Sequence, residues 1–143
     1  MEWREIKGTE DINELLTNFG YFHDSCLKEM IMWSGFHVNE ETMTFGDGLP
    51  NNVRILFQGH YKETSAIELL FEGVEELHLG NAGFIYDVTF TYQDGMFFWA
   101  DLYGVKRNDN RKDVTWIASK NIKWRDVSRW MGDTRRYGEL GSS

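Results

Sequence analysis

The chain of 143 residues has one cysteine and one proline. A lone thiol, Cys26, excludes an internal disulfide and is too little for a zinc knuckle. A single proline leaves ladder hydrogen bonds almost uninterrupted, which suits strands. Long apolar runs are also missing. Met96-Phe97-Phe98-Trp99-Ala100 is among the longest, far below the roughly 20 residues of a membrane-spanning helix. The opening Met1-Glu2-Trp3-Arg4-Glu5 carries acids and no apolar stretch of a signal peptide. Together these absences predict a cytoplasmic protein with no membrane partner.

Basic residues are scarce in the first two thirds. Residues 1–101 hold 18 acidic and 5 basic side chains, a balance of −13; residues 102–143 hold 5 and 10, a balance of +5, and the total is −8. An isoelectric point near 4.9 argues against nucleic acid as a general partner, because phosphates need a basic field. The basic run Lys120, Lys123, Arg125, Arg129, Arg135 and Arg136 is the one stretch that could touch phosphates. This charge asymmetry has two explanations. Either the C-terminal segment packs on the acidic body and neutralises it, or it serves a separate surface.

What is abundant is aromatic: 10 Phe, 6 Trp and 6 Tyr. Each buried ring removes about 150–250 Å² from water, so a chain of this size can build a core without staples. Thr9 as N-cap, acids at Glu10, Asp11 and Glu14, and a stripe of Ile12, Leu15, Leu16 and Phe19 predict a helix over 10–19 that Gly20 stops. Strands are predicted over Cys26 to Val38, Thr42 to Phe45, Val53 to Gln58, Ala66 to Phe71 and Glu75 to Leu79. The turns between them are Asn39-Glu40-Glu41 and the loop 46–52. Phe84 to Tyr92 and Met96 to Tyr103 flank Gln93-Asp94-Gly95, a tight-hairpin signal, and the second run is apolar on both faces, hence central. Val105 to Asp113 is a charged loop, Val114 to Trp124 a last strand broken near Ser119-Lys120-Asn121, and Arg125 to Met131 a helical turn. The expected fold is α+β and mainly antiparallel: one N-terminal helix on a curled sheet, sandwich or half-barrel. A single domain over 1–131 and a mobile polar tail over 132–143 complete it.

No phosphate-cradling glycine loop, Gly-x-Ser-x-Gly elbow or paired metal motif occurs, so neither catalysis nor a cofactor or metal is expected. His23-Asp24 can open a metal site, yet the other histidines, His37, His60 and His78, fall on predicted strands or loops. The expected role is structural, with Asp24 capping backbone groups and His23 bonding a nearby carbonyl. Three residues along a strand put His23 and Cys26 on opposite faces, so Cys26 is read as a small buried apolar residue and not a nucleophile. Trp33, Trp99, Trp116, Trp124 and Trp130 are read mostly as core; an aromatic-lined pocket for a small molecule is the alternative. Glu40, Glu41, Glu72, Glu75, Glu76, Asp87 and Asp94 lack the ligand spacing of a calcium loop, of which Asp47-Gly48 is only a fragment. They are a solvated surface or a docking face for a basic protein. Exposed edge strands could also pair two copies.

The stretch Phe19-Gly20-Tyr21-Phe22-His23-Asp24-Ser25, followed by an apolar strand, resembles small bacterial proteins with a Phe-His-Asp element near their start. It is similar in this to immunity proteins of polymorphic toxin systems, over residues 19–80. The resemblance implies an antiparallel α+β fold, no catalysis, and the binding and blocking of a cognate toxin.

Overall fold

A computed structural model describes residues 2–46, 51–81 and 83–131. The expected tail from 132, with Arg135 and Arg136, lies outside the described residues, as does the Asp47-Gly48 part of the loop before the third long strand. No helix among the described residues is long and apolar enough to cross a membrane.

The elements run β1 (Arg4–Ile6), α1 (Thr9–Asn18), a tight turn at Gly20–Phe22, β2 (Ser25–Trp33), β3 (Val38–Asn39), β4 (Thr44–Phe45), β5 (Asn52–Gln58) and β6 (Ala66–His78). After these come β7 (Phe84–Ile85), β8 (Thr89–Gln93), β9 (Met96–Ala100), β10 (Trp116–Asp126) and α2 (Ser128–Met131). Eight strands form one antiparallel sheet in the order β7-β2-β5-β6-β10-β9-β8, with β1 against the second half of β10; β3 and β4 form a separate hairpin. The α+β, mainly antiparallel architecture is as expected, with the sheet curled into a half-barrel.

Alternation explains which face of the sheet is buried. Val53, Ile55 and Phe57 lie in register with Phe71, Leu69 and Ile67, and all six are fully buried on one face. Trp99 and Ile117 continue that face across β9 and β10. The stripe Ile12, Leu15 and Phe19 packs into the same core, and Phe22 stands edge-on to Phe19 and Phe57. β9 is buried on its other face too, because Val105 and Val114 fold over Phe98 and Ala100.

Several local expectations are corrected. Gly8, not Thr9, is the N-cap of α1, and it offers no side chain; the Lys7 N–H instead bonds Asp11 Oδ2 at 2.8 Å. The end of the helix is as expected: Phe19 is the C-cap, its N–H reaching Leu15 O, and Gly20 follows in the left-handed region at φ 54°. β2 ends at Trp33, five residues short of Val38. Ala66 to Phe71 and Glu75 to Leu79 are one strand, β6. Gly73 joins them at φ 67°, and a residue there with a Cβ is strained whatever the space. Opposite it, β10 stays continuous through Ser119-Lys120-Asn121 and takes up a one-residue register shift between Ala118 and Ser119. Arg125 and Asp126 belong to β10, so the helical turn starts only at Ser128. Phe84 to Tyr92 is two strands: β7 pairs with β2 at one end of the sheet and β8 with β9 at the other. That single run therefore ties both ends together.

Candidate functional site

The acidic candidates fall into two groups. Glu72, Glu75 and Glu76 lie on β6, directly beside β10 and the loop before it. Lys123 Nζ stands 3.5 Å from Glu72, and Arg107 reaches Glu75 at 3.6 Å and also Glu76. Deeper in the same strand pair, Glu68 is 1% exposed. It receives Arg125 at 2.6 Å and Arg54 at 3.3 Å. Arg125 also lies over the Trp3 ring at 4.3 Å. The basic C-terminal strand thus packs on the acidic body and neutralises its β6 carboxylates. Lys123, Arg125 and Arg107 thereby follow the first of the two explanations of the charge asymmetry, while Glu72, Glu75 and Glu76 stay partly exposed beside them.

Asp87 is half-buried and accepts the Tyr103 N–H at 3.0 Å. Asp94 is exposed at the β8–β9 turn, where it and Gly95 take φ of 54° and 74°, the geometry expected of the Asp-Gly pair. Glu40 and Glu41 are exposed at the β3–β4 turn and make no ion pair among the described residues.

His23 and Asp24 sit at the corner between the tight turn and β2. The His23 ring places Nδ1 3.0 Å from Tyr86 O and Nε2 3.3 Å from Asp24 Oδ2. The Tyr61 hydroxyl donates to the His23 carbonyl. Burial, then the nearby Asp24 charge, pushes the Tyr61 phenol up to about 12. A Cβ at Gly20 or at Gly59 would overlap the Tyr61 ring, so both glycines make room for it. Tyr21, Phe22 and Asp24 all have positive φ, a conformation that the buried Phe22 and the Tyr61 bond hold in place. Among the described residues no cluster of three or more His, Cys, Asp or Glu could hold a metal. Cys26 is half-buried, not buried as expected.

Of the tryptophans, Trp99 and Trp124 are core, Trp116 is half-buried and stacks with His78, and Trp33 is exposed. The side chain of Trp130 lies outside the described residues. A cleft of about 740 Å³ opens between the β8–β9 hairpin and the 105–109 loop, floored by Met96, Phe98 and Val105. Phe98 is its one aromatic wall, and its rim mixes charges from Asp94, Lys106 and Asp109.

A run of exposed apolar side chains lies elsewhere. Ile31, Met32 and Trp33 end β2 in the open, and Phe36 (65% exposed), Val38, Met43 (75%) and Phe45 (76%) follow on the β3–β4 arm. The arm is locally self-sufficient. Asn39 Oδ1 accepts the N–H groups of Glu41 and Thr42, Asn39 O accepts that of Met43, and Gly46 N–H closes on His37 O at 2.8 Å. Val38 and Phe45 are register partners, and Phe36 precedes them two residues before β3. Nothing in the fold requires these apolar side chains, since the arm forms its own two-stranded sheet. Trp33 was read mostly as core, and Phe36, Met43 and Phe45 were placed in strands without being picked out as a surface. The available signal was length: Ser34-Gly35 and Asn39–Thr42 cut the run into pieces too short for a central strand.

No protein-family model, curated protein or solved structure matches the chain.

Proposed function

We propose that this is a non-enzymatic binding protein that docks a basic protein partner through the arm of residues 31–45, in the manner of an immunity-type inhibitor on its toxin. The observation that carries this reading is the run of exposed apolar side chains Trp33, Phe36, Val38, Met43 and Phe45, with Glu40 and Glu41 exposed at the β3–β4 turn. Aromatic and Met side chains form the desolvated centres of protein interfaces, and charge at the rim selects and steers the partner. A net charge of −8 favours a basic one. The corner at His23 and Asp24 supports a positioning role only, because its groups are spent on Tyr86, Tyr61 and each other.

The test is affinity capture from the source cell with wild type and with the Phe36→Ser/Phe45→Ser double variant. A basic protein retained by wild type, released by raised salt and lost by the variant supports the reading. A partner retained equally by both, or one that is acidic, overturns it. The cleft beside Phe98 favours a second reading, a small-molecule site. A ligand that raises the melting temperature and loses this effect in Val105→Trp would select it.

A further inference from the structure

The eight-stranded sheet is unfinished along β2. β7 covers the outer edge of β2 only at Ser25 and Cys26, and the Leu27 N–H then closes on Gly83 O at 2.8 Å. From Met30 to Trp33 the ladder runs to β5 alone among the described residues, opposite Ile55, Arg54, Val53 and Asn52. Among the described residues, the outward backbone groups of this stretch have no strand beside them. The stretch carries no charge, and Ile31, Met32 and Trp33 are exposed. Proteins normally blunt such an edge with charge, proline, a bulge or a cover. Here the register irregularity lies earlier, between Leu27 and Glu29, and leaves Met30–Trp33 regular and open.

We infer that an extended segment of the basic partner adds to the sheet as a strand along Met30–Trp33, antiparallel to β2 and continuing the line of β7. This rests on the docking reading above and specifies how the partner is held. Main-chain hydrogen bonds supply the affinity of such an addition, and alternate side chains supply the choice. Ile31 and Trp33 share one face of β2, so apolar residues at every second position of the segment would pair across with them. Lysine or arginine at the intervening positions answers the net charge of −8 and the unpaired Glu40 and Glu41. A second copy of this chain is the disfavoured occupant, because it would bring another −8 and another acidic arm to the same place.

The experiment uses the full chain, backbone-assigned by NMR, and a synthetic peptide of alternating lysine and valine as the probe. Two controls keep its length: a glutamate–valine peptide, and the lysine–valine peptide N-methylated throughout. The expected result is that the lysine–valine peptide slows exchange of the outward amides in Met30–Trp33 by about tenfold or more, while neither control does. Slowing by the N-methylated peptide, or equally by the acidic one, overturns the inference. Shifts confined to Phe36–Phe45, with no protection in β2, overturn the added strand and leave the docking arm standing. Protection that appears without peptide and grows with protein concentration, alongside dimer by sedimentation, replaces the partner with a second copy and also overturns it. Protection of Met30–Trp33 that is equal in wild type and in Phe36→Ser/Phe45→Ser, with no shifts in Phe36–Phe45 of the wild type, overturns the docking reading alone.

Discussion

Removing the Glu68 carboxylate is the sharpest perturbation of the internal charge pairing. Glu68→Ala leaves Arg54 and Arg125 beside each other with their shared counter-charge gone, on a carboxylate site that is 1% exposed. Breaking a buried pair by deleting one partner typically costs about 3–5 kcal/mol. The two arginine side chains are 29% and 21% exposed, so water recovers part of that and about 2–4 kcal/mol is expected. For a chain of this size that is a melting-temperature drop of roughly 6–12 °C. Glu68→Gln should lie between, because the amide still accepts from one guanidinium. Replacing all three groups together (Arg54→Met, Glu68→Leu, Arg125→Met) should restore most of the loss, since the charges of this buried cluster are removed together. Urea unfolding followed by circular dichroism reads each variant. A Glu68→Ala loss below about 1 kcal/mol, the range of exposed pairs, would refute the reasoning.

Other consequences are smaller and equally specific. Burial holds the Asp101 carboxyl above its usual range, against the opposing hydrogen bond from the Thr115 N–H. With the folded value raised, its contribution is present at acid pH and lost as pH rises through that value. Asp101→Asn should therefore raise the melting temperature at neutral pH and give no gain below the carboxylate range. Tyr61 should titrate near 12 in an ultraviolet pH scan, a component that Tyr61→Phe removes, with its contribution to stability fading between about 10 and that value. Tyr61→Phe should cost about 1 kcal/mol for the lost bond to the His23 carbonyl, read by urea unfolding. Gly73→Val should cost more than about 1 kcal/mol, because a β-branched residue must hold the left-handed conformation at φ 67°.

The hairpin at Asp94-Gly95 was legible because its signal is local: two residues that must take positive φ between two apolar runs. The core face of β5 was legible for a similar reason, the alternation of Val53, Ile55 and Phe57. Gly73 concealed the length of β6, since a glycine inside a strand pattern reads equally as a stop or as a bend. The division of Phe84 to Tyr92 between two ends of the sheet depends on strand order, which no local pattern carries. The partners of the acidic candidates depend on strand order in the same way: Lys123 comes beside Glu72 only when β10 is laid against β6, and Arg107 reaches Glu76 from the preceding loop. Hydrophobicity itself misled at Phe36, Met43 and Phe45, because apolar character reports a need for burial and not which molecule provides it.

Site-resolved photocrosslinking in the source cell addresses the docking arm most directly. A photoreactive phenylalanine analogue is placed at Phe36 or Phe45, and for comparison at Glu76 and at Asp94. Crosslinks from both arm positions to one basic protein, with none from Glu76 or Asp94, are the predicted result. Crosslinks from Glu76 or Asp94 with none from the arm would contradict the account.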